Sequence, residues 1–142
     1  MTKEQDDILA TLDEYADAYC AKDLERLMAV FLDGENISLI GTGRDELCSG
    51  RNAIKSVFAR NFDEATATLF EWDWTDVAIH ENAATVATTL TIHLTVGDED
   101  MKVPVRWTVS LVKHDSVWKW VHRHASAAAQ SQDEGTAYPT GQ

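Results

Sequence analysis

The sequence predicts an α+β fold, with three N-terminal helices packed on one face of a strongly curved antiparallel sheet. Apolar residues recur with a period of about 3.6 as far as Phe62 and with a period of about two from Ala67 onwards. The alternating face changes parity near Thr75 and Asp76, which predicts a β-bulge and a sharp bend in the sheet. A curved sheet folded over helices leaves an open end, where we expect a pocket.

Three segments have the pattern of amphipathic helices. Thr2 and Gln5 have the spacing of a capping box, Asp23 is expected to cap a second helix, and Ser49 a third. Asp33 and Gly34 are expected to end the second helix. The residues predicted to form the buried faces are Ile8, Leu9, Leu12, Tyr15, Ala16, Tyr19 and Cys20, then Leu24, Leu27, Met28, Phe31 and Leu32, and finally Ile54, Val57, Phe58 and Phe62.

A short strand is predicted at residues 37–40, and four long strands follow from Ala67. The last of these, residues 118–126, carries two indoles, two imidazoles and a hydroxyl at alternate positions. Alternate residues of a strand share a face, so this pattern predicts one stripe along the strand. Its members are Trp118, Trp120, His122, His124 and Ser126.

The composition is acidic, with 24 Asp and Glu against 12 Lys and Arg and a net charge of −12. This balance argues against a nucleic-acid partner and against docking on anionic lipid, because both need clustered basic residues. No apolar run approaches the roughly 18 residues of a membrane-spanning helix, and residues 1–7 lack the features of a signal peptide. We therefore expect a cytoplasmic protein in which Cys20 and Cys48 are free thiols.

Three stretches resemble one known family: residues 21–27 after the first helix, residues 41–54, and residues 118–126. In this order and spacing they are similar to the SnoaL-like branch of the NTF2-like superfamily, which also contains ketosteroid isomerase and the calcium/calmodulin-dependent kinase association domain. The resemblance covers about residues 5–127. It implies one domain over residues 1–127, and we expect residues 128–142 to be a disordered polar tail.

The resemblance implies a cone-shaped NTF2-like barrel, a homodimer formed through the sheet, and a pocket whose occupant varies across the superfamily. Ketosteroid isomerases carry a carboxylate base on the short strand and an acid in the oxyanion hole. The matching segments here, residues 37–41 and 105–108, contain no acid, and Tyr15 and Tyr19 on the first helix lack that partner. A steroid-isomerase mechanism is therefore not expected.

His124 is the candidate catalytic residue, as a general acid or base or a hydrogen-bond anchor at the pocket mouth. The alternative is a structural histidine bonded within the sheet or across a dimer. The ligand-binding candidates are aromatic residues that could line an apolar pocket, although core and interface packing must account for many aromatic side chains. They are Tyr15, Tyr19, Phe31, Trp74 and Trp107.

Metal binding is not expected. His122 and His124 could present two nitrogens to a metal, but no spacing recommends His80 or His93 as a third ligand. No cofactor is expected, and no arrangement of serine or cysteine with histidine indicates a nucleophile.

Three functional hypotheses remain open at this point. The first is a homodimer that binds a small, mostly apolar molecule; if it is an enzyme, we expect acid–base chemistry on a carbonyl compound, as in a cyclase, isomerase or dehydratase. The second is a non-catalytic module for homo-oligomerisation. The third is a chain whose cavity is filled by its own side chains.

Overall fold

The computed structural model of the protein describes residues 2–139 as three helices against a six-stranded sheet. The helices are α1 (Lys3–Cys20), α2 (Leu24–Ala29) and α3 (Arg51–Glu64), and the strands are β1 (Ser38–Ile40), β2 (Leu47–Ser49), β3 (Thr66–His80), β4 (Ala83–Val96), β5 (Glu99–His114) and β6 (Val117–Ser126). The strand order is β2-β1-β6-β5-β4-β3. The helices pack against a curved, unclosed sheet, which confirms the predicted α+β cone.

The four long strands form antiparallel neighbours, as predicted. Strand β1 instead runs parallel to β6, with Leu39 opposite Arg123, and antiparallel to β2. The strand β2 was not predicted, because Leu47, Cys48 and Ser49 lack the β-branched apolar residues that mark the segment around β1.

The first two helices begin where their caps predict. Thr2 and Gln5 form the complete capping box of α1, and the Asp23 side chain accepts a hydrogen bond from the Arg26 amide. The predicted cap of α3 is wrong: Gly50, not Ser49, occupies that position, with φ +89° and no side-chain cap. Positive φ favours glycine there.

Helix α2 ends at Ala29 rather than at Asp33 and Gly34. The chain leaves the helix to pair with β6: the Val30 carbonyl accepts from the Trp120 amide at 2.9 Å, and the Leu32 amide donates to the Trp120 carbonyl at 2.9 Å. Pairing with a strand that is distant in sequence therefore ends the helix earlier than the local signal at Gly34 predicts.

The bulge in β3 exists, but it lies slightly earlier than predicted. The pairing with β4 shifts register between Trp72 and Trp74, and a further shift lies between Ala67 and Leu69. Because one extra residue reverses the facing of those that follow, Trp74 points to the outer face and is 58% exposed.

Strand β6 contains an unpredicted bulge. Trp120 pairs with Leu111 and His122 pairs with Ser110, so Val121 is the extra residue. The prediction of a single stripe is therefore wrong. Trp118 and Trp120 face the helices, after the bulge Arg123 and Ala125 take over that face, and His122 and His124 turn outward.

Trp120 lies at the centre of the core. Its ring stacks on Tyr15 at 4.8 Å and meets the edge of Phe31 at 5.6 Å. Its indole nitrogen donates to the Thr11 hydroxyl at 2.8 Å, so this fully buried side chain has no unpaired polar atom. Trp118 is also buried.

Beyond Ser126 the described chain forms turns and bends, and the Gln132 side-chain amide donates to the Thr136 carbonyl at 2.7 Å. The predicted disorder of residues 128–142 stays a prediction, and residues 140–142 of that segment lie outside the described residues. None of the described helices combines the length and the apolar character needed to cross a membrane.

Candidate functional site

A cavity of about 200 Å³ lies between the helices and the inner face of the sheet. Its volume is below the roughly 300–1,000 Å³ of sites for drug-sized ligands, so it suits a smaller molecule. Exposed Thr42 and Glu64 mark its mouth, and buried side chains form its deep end. The lining residues are Tyr15, Tyr19, Thr42, Glu46, Asn61, Glu64, Ala65, Phe70, Ile92, Leu94, Val103, Val105, Trp107, Arg123 and Ala125.

Aromatic rings form much of the deep end. Tyr15 stacks on Tyr19 at 5.8 Å and meets Trp107 edge-on at 5.0 Å. Phe70 contacts the same group, with its ring 6.0 Å from that of Trp107. Each ring is held by others, so the wall is rigid and mostly apolar.

Arg123 places a guanidinium among these rings. The residue is only 7% exposed, and its Nη1 donates to the Tyr15 hydroxyl at 2.9 Å. The guanidinium carbon lies 5.0 Å from the centre of the Trp107 ring, a distance at which a cation is attracted to the face of an aromatic ring.

The surroundings of Arg123 leave its charge without a direct counterion. Within residues 2–139, no carboxylate oxygen lies within 4.0 Å of the guanidinium. Its buried Nε has no hydrogen-bond partner among the described residues. Burying a charge is costly unless it is paired and hydrogen-bonded, so this group is incompletely satisfied by the protein itself.

Glu46 supplies the cavity's partly buried carboxylate. Its Oε1 accepts from the Gly43 amide at 2.8 Å, and Oε2 lies 3.4 Å from Nη2 of Arg60. A Cβ at Gly43 would lie 2.8 Å from Oε1, so the glycine leaves room for this carboxylate to fold over its own loop. These contacts engage both oxygens of the carboxylate.

Both cavity tyrosines are neutral at ordinary pH. Burial raises the pKa of the Tyr15 hydroxyl, and the nearby Arg123 charge opposes that effect only in part. Burial likewise raises the pKa of Tyr19. Each hydroxyl therefore retains its proton and can donate it in a hydrogen bond.

Three of the five aromatic candidates line the cavity: Tyr15, Tyr19 and Trp107. Their role in binding stays a prediction. Phe31 does not line it, because the chain after α2 directs this ring into the core against Trp120. Trp74 does not line it either, because the β3 bulge turns it outward. Neither ring closes the cavity.

The structure places His124 away from the cavity. It is exposed on the outer face of β6, opposite Thr108, so its expected place at the pocket mouth is wrong. A catalytic role for this imidazole stays a prediction. Its neighbour His122 lies on the same face, where Nδ1 is 2.7 Å from the Ser38 hydroxyl oxygen, and burial lowers its pKa. Among the described residues, no group of three or more His, Cys, Asp or Glu is arranged to hold a metal ion.

Arg123 and Glu46 are the two charged cavity residues below the exposed mouth, and the sequence did not reveal either of them. Strict alternation from Trp118 predicts that Arg123 lies on the outer face. Arg123 can be assigned to the inner face only if the bulge at Val121 is known. The one available signal was Val121, an apolar residue between Lys119 and Arg123 on the expected polar face.

Solved structures share this fold. An NTF2-like protein of unknown function from Pseudomonas putida KT2440 is 18% identical with a TM-score of 0.77, and covers 99% of this chain and 95% of its own. A ketosteroid isomerase-like protein from Erwinia carotovora atroseptica is 18% identical with a TM-score of 0.75. The match covers 89% of this chain and 97% of the Erwinia chain. A third structure, from Xanthomonas campestris, is named for the calcium/calmodulin dependent protein kinase II association domain. It is 19% identical with a TM-score of 0.76, and the match covers 87% of this chain and 86% of the Xanthomonas chain.

At these identities the structural likeness shows the fold alone, which hosts unrelated functions. A search among curated proteins finds none that matches the sequence. The family comparison covers far more than half of the chain: the model of the SnoaL-like domain matches residues 8–130. The chain therefore belongs to the SnoaL-like domain family.

Proposed function

We propose that this protein binds a small, mostly apolar molecule in the cavity between its helices and sheet. The observation that carries the proposal is the cavity itself, which holds about 200 Å³ behind a wall of tyrosine, phenylalanine and tryptophan rings. Pockets that bind small molecules are mostly apolar with a few converging polar groups, and Tyr15, Tyr19 and Arg123 supply those groups here.

Benzyl alcohol is a suitable neutral probe, and the indole N–H signals of an NMR titration locate its site. We expect the Trp107 signal to move and the Trp74 signal to stay, because only Trp107 lines the cavity. Val103→Phe, which narrows the cavity, should weaken binding at least tenfold. Val96→Phe makes the same change at an exposed position and should leave binding unchanged. Movement of Trp74 without Trp107 would reject this site.

Acid–base chemistry on a carbonyl compound is a possible extension of binding. The observation in its favour is that the Tyr15 hydroxyl is neutral and hydrogen-bonded to a cation, an arrangement suited to polarising a carbonyl oxygen. Glu46 is a candidate base because its partly buried carboxylate lines the same cavity, although Arg60 and Gly43 already engage its oxygens. The test is deuterium exchange at the α-carbon of a bound ketone. Exchange that is lost in Glu46→Gln while the ketone still binds would support turnover. Exchange that is equal with and without protein would argue against it.

A second candidate function is association between copies of this chain through the outer face of the sheet. Leu69 and Trp74 lie on that face and are 50% and 58% exposed. The X. campestris neighbour is named for an association domain. Sedimentation equilibrium should give the mass of a dimer, with Trp74→Ser weakening it and Tyr138→Ser, an exposed control in the tail, leaving it unchanged. A single-chain mass at micromolar concentration would reject a dimer.

A cytoplasmic location is part of the same proposal. Cys20 and Cys48 are both unpaired, which is typical of a reducing compartment. The large negative charge keeps such a chain soluble without binding nucleic acid or anionic membranes.

A further inference from the structure

We propose that Arg123 and Tyr15 form a receptor for a carboxylate, so that the ligand of the cavity is a small monocarboxylic acid with an apolar body. This inference rests on the proposed binding function and names its ligand class. It starts from one observation: a guanidinium that is more than nine-tenths buried lines the cavity, and no carboxylate oxygen of residues 2–139 lies within 4.0 Å of it.

Around the Arg123 guanidinium, hydrogen-bond donors outnumber hydrogen-bond acceptors. Arg123 presents several N–H groups, of which Nη1 donates to the Tyr15 hydroxyl and the buried Nε has no partner among the described residues. Tyr15 accepts that bond and keeps its own proton, because burial raises its pKa. An arginine with free N–H groups and a neighbouring phenol matches the acceptor-only oxygens of a carboxylate.

The position of the charge defines the orientation of the ligand. Arg123, Tyr15 and Trp107 are among the buried members of the lining, so the carboxylate would lie at the deep end. The apolar body would extend along Ile92, Leu94 and Val103 towards the mouth.

The protein holds the guanidinium rigidly enough to discriminate between ligands. Trp107 lies 5.0 Å from its carbon, and Tyr15 lies 2.9 Å from Nη1. A neutral isostere of the same shape would leave the buried cation unpaired, whereas an anion would satisfy it. Glu46 opposes the entry of an anion, but its charge is partly offset by Arg60, whose Nη2 lies 3.4 Å from Oε2.

Benzoate and benzamide, at neutral pH and equal salt, test the charge on the unaltered protein. Hydrogen bonds to charged groups contribute enough for a tenfold to hundredfold preference for benzoate over benzamide. The Trp107 indole signal should move with benzoate, and the Trp74 signal should not. Equal affinity for the two probes, or a preference for benzamide, would overturn the proposal.

Two variants assign the preference to the receptor. Arg123→Gln should abolish the preference for benzoate, whereas Arg106→Gln, which removes the same charge from the exposed outer face, should leave it within twofold. Tyr15→Phe should reduce benzoate affinity about threefold to tenfold and change benzyl alcohol binding little. A preference that survives Arg123→Gln would overturn the assignment; if that variant does not fold, Tyr15→Phe and the benzoate–benzamide comparison decide.

Benzyl alcohol separates this inference from the proposed function. Benzyl alcohol that binds at Trp107 without any preference for benzoate would overturn the carboxylate receptor and leave the binding function intact. If none of the three probes shifts the Trp107 signal, both are rejected.

Discussion

At the scale of single residues, Arg123 and Tyr15 depend on each other. The tyrosine hydroxyl is the only side-chain acceptor that the described residues offer to the guanidinium, at 2.9 Å from Nη1. The ring of Tyr15 also stacks on Trp120, so one side chain belongs to both the core and the cavity. A substitution that removes only the hydroxyl can separate these two contributions.

Tyr15→Phe should lower the free energy of unfolding by about 1.5–3 kcal/mol, the range for losing a hydrogen bond to a charged group. Urea denaturation measures this change as a lower midpoint at constant slope. Tyr138→Phe, at a position that is 80% exposed, is the matched control and should change nothing. An unchanged midpoint for Tyr15→Phe would mean that the guanidinium does not need this acceptor.

His122 gives a second test at this scale. Its pKa is lowered in the folded protein, first by burial and then by the charges of His124 and Arg123. The unfolded chain therefore takes up a proton at a higher pH than the folded one does, so stability is lost as pH falls below about 6.5. His122→Gln should make this loss shallower between about pH 7 and pH 5 in thermal melts. His80→Gln, on an exposed imidazole at the end of β3, is the control; equal slopes for both variants and the unaltered protein would contradict the assignment.

At the scale of elements, the short helix α2 depends on its N-cap residue, Asp23. Six residues are too few for a helix to be stable by itself, and the Asp23 side chain holds its first turn by accepting from the Arg26 amide at 3.1 Å. Asp23→Ala should lower the free energy of unfolding by about 1 kcal/mol. Asp23→Asn retains the capping oxygen and should be close to neutral in the same urea titration. Equal losses in both variants would assign the effect to charge instead.

The helices and long strands could be predicted because each leaves a repeated signal in the sequence. The helices were predicted from the caps Thr2 and Asp23 and from the apolar faces of α1 and α3. The strands β3 to β6 were predicted from the alternation of apolar and polar residues. Bulges leave no repeated signal, since a single extra residue is fixed by the neighbouring strand. For this reason Trp74, His124 and Arg123 were all assigned to the wrong face. Tyr15, Tyr19 and Trp107 line the cavity, and their role in binding stays a prediction.

At the scale of the whole molecule, the net charge of −12 opposes association between copies. Salt screens this repulsion, since the Debye length falls from about 30 Å at 10 mM to about 8 Å at 150 mM. The dissociation constant of the proposed dimer should therefore fall several-fold over this range in analytical ultracentrifugation. Sucrose at matched osmolality is the control. A dissociation constant that rises with salt would indicate attractive charge pairs across the outer face instead.

The bulge at Val121 has a consequence for comparing relatives of this chain. A relative that lacks this one residue would pair β6 regularly and still direct the equivalent of Arg123 inward. A relative of equal length without the bulge would direct the two imidazoles inward and expel the guanidinium. Loss of the bulge without any change in length can thus change the chemistry of the cavity with every residue type unchanged. Relatives should be compared by the length and pairing of this strand before their ligands are inferred from aligned identities.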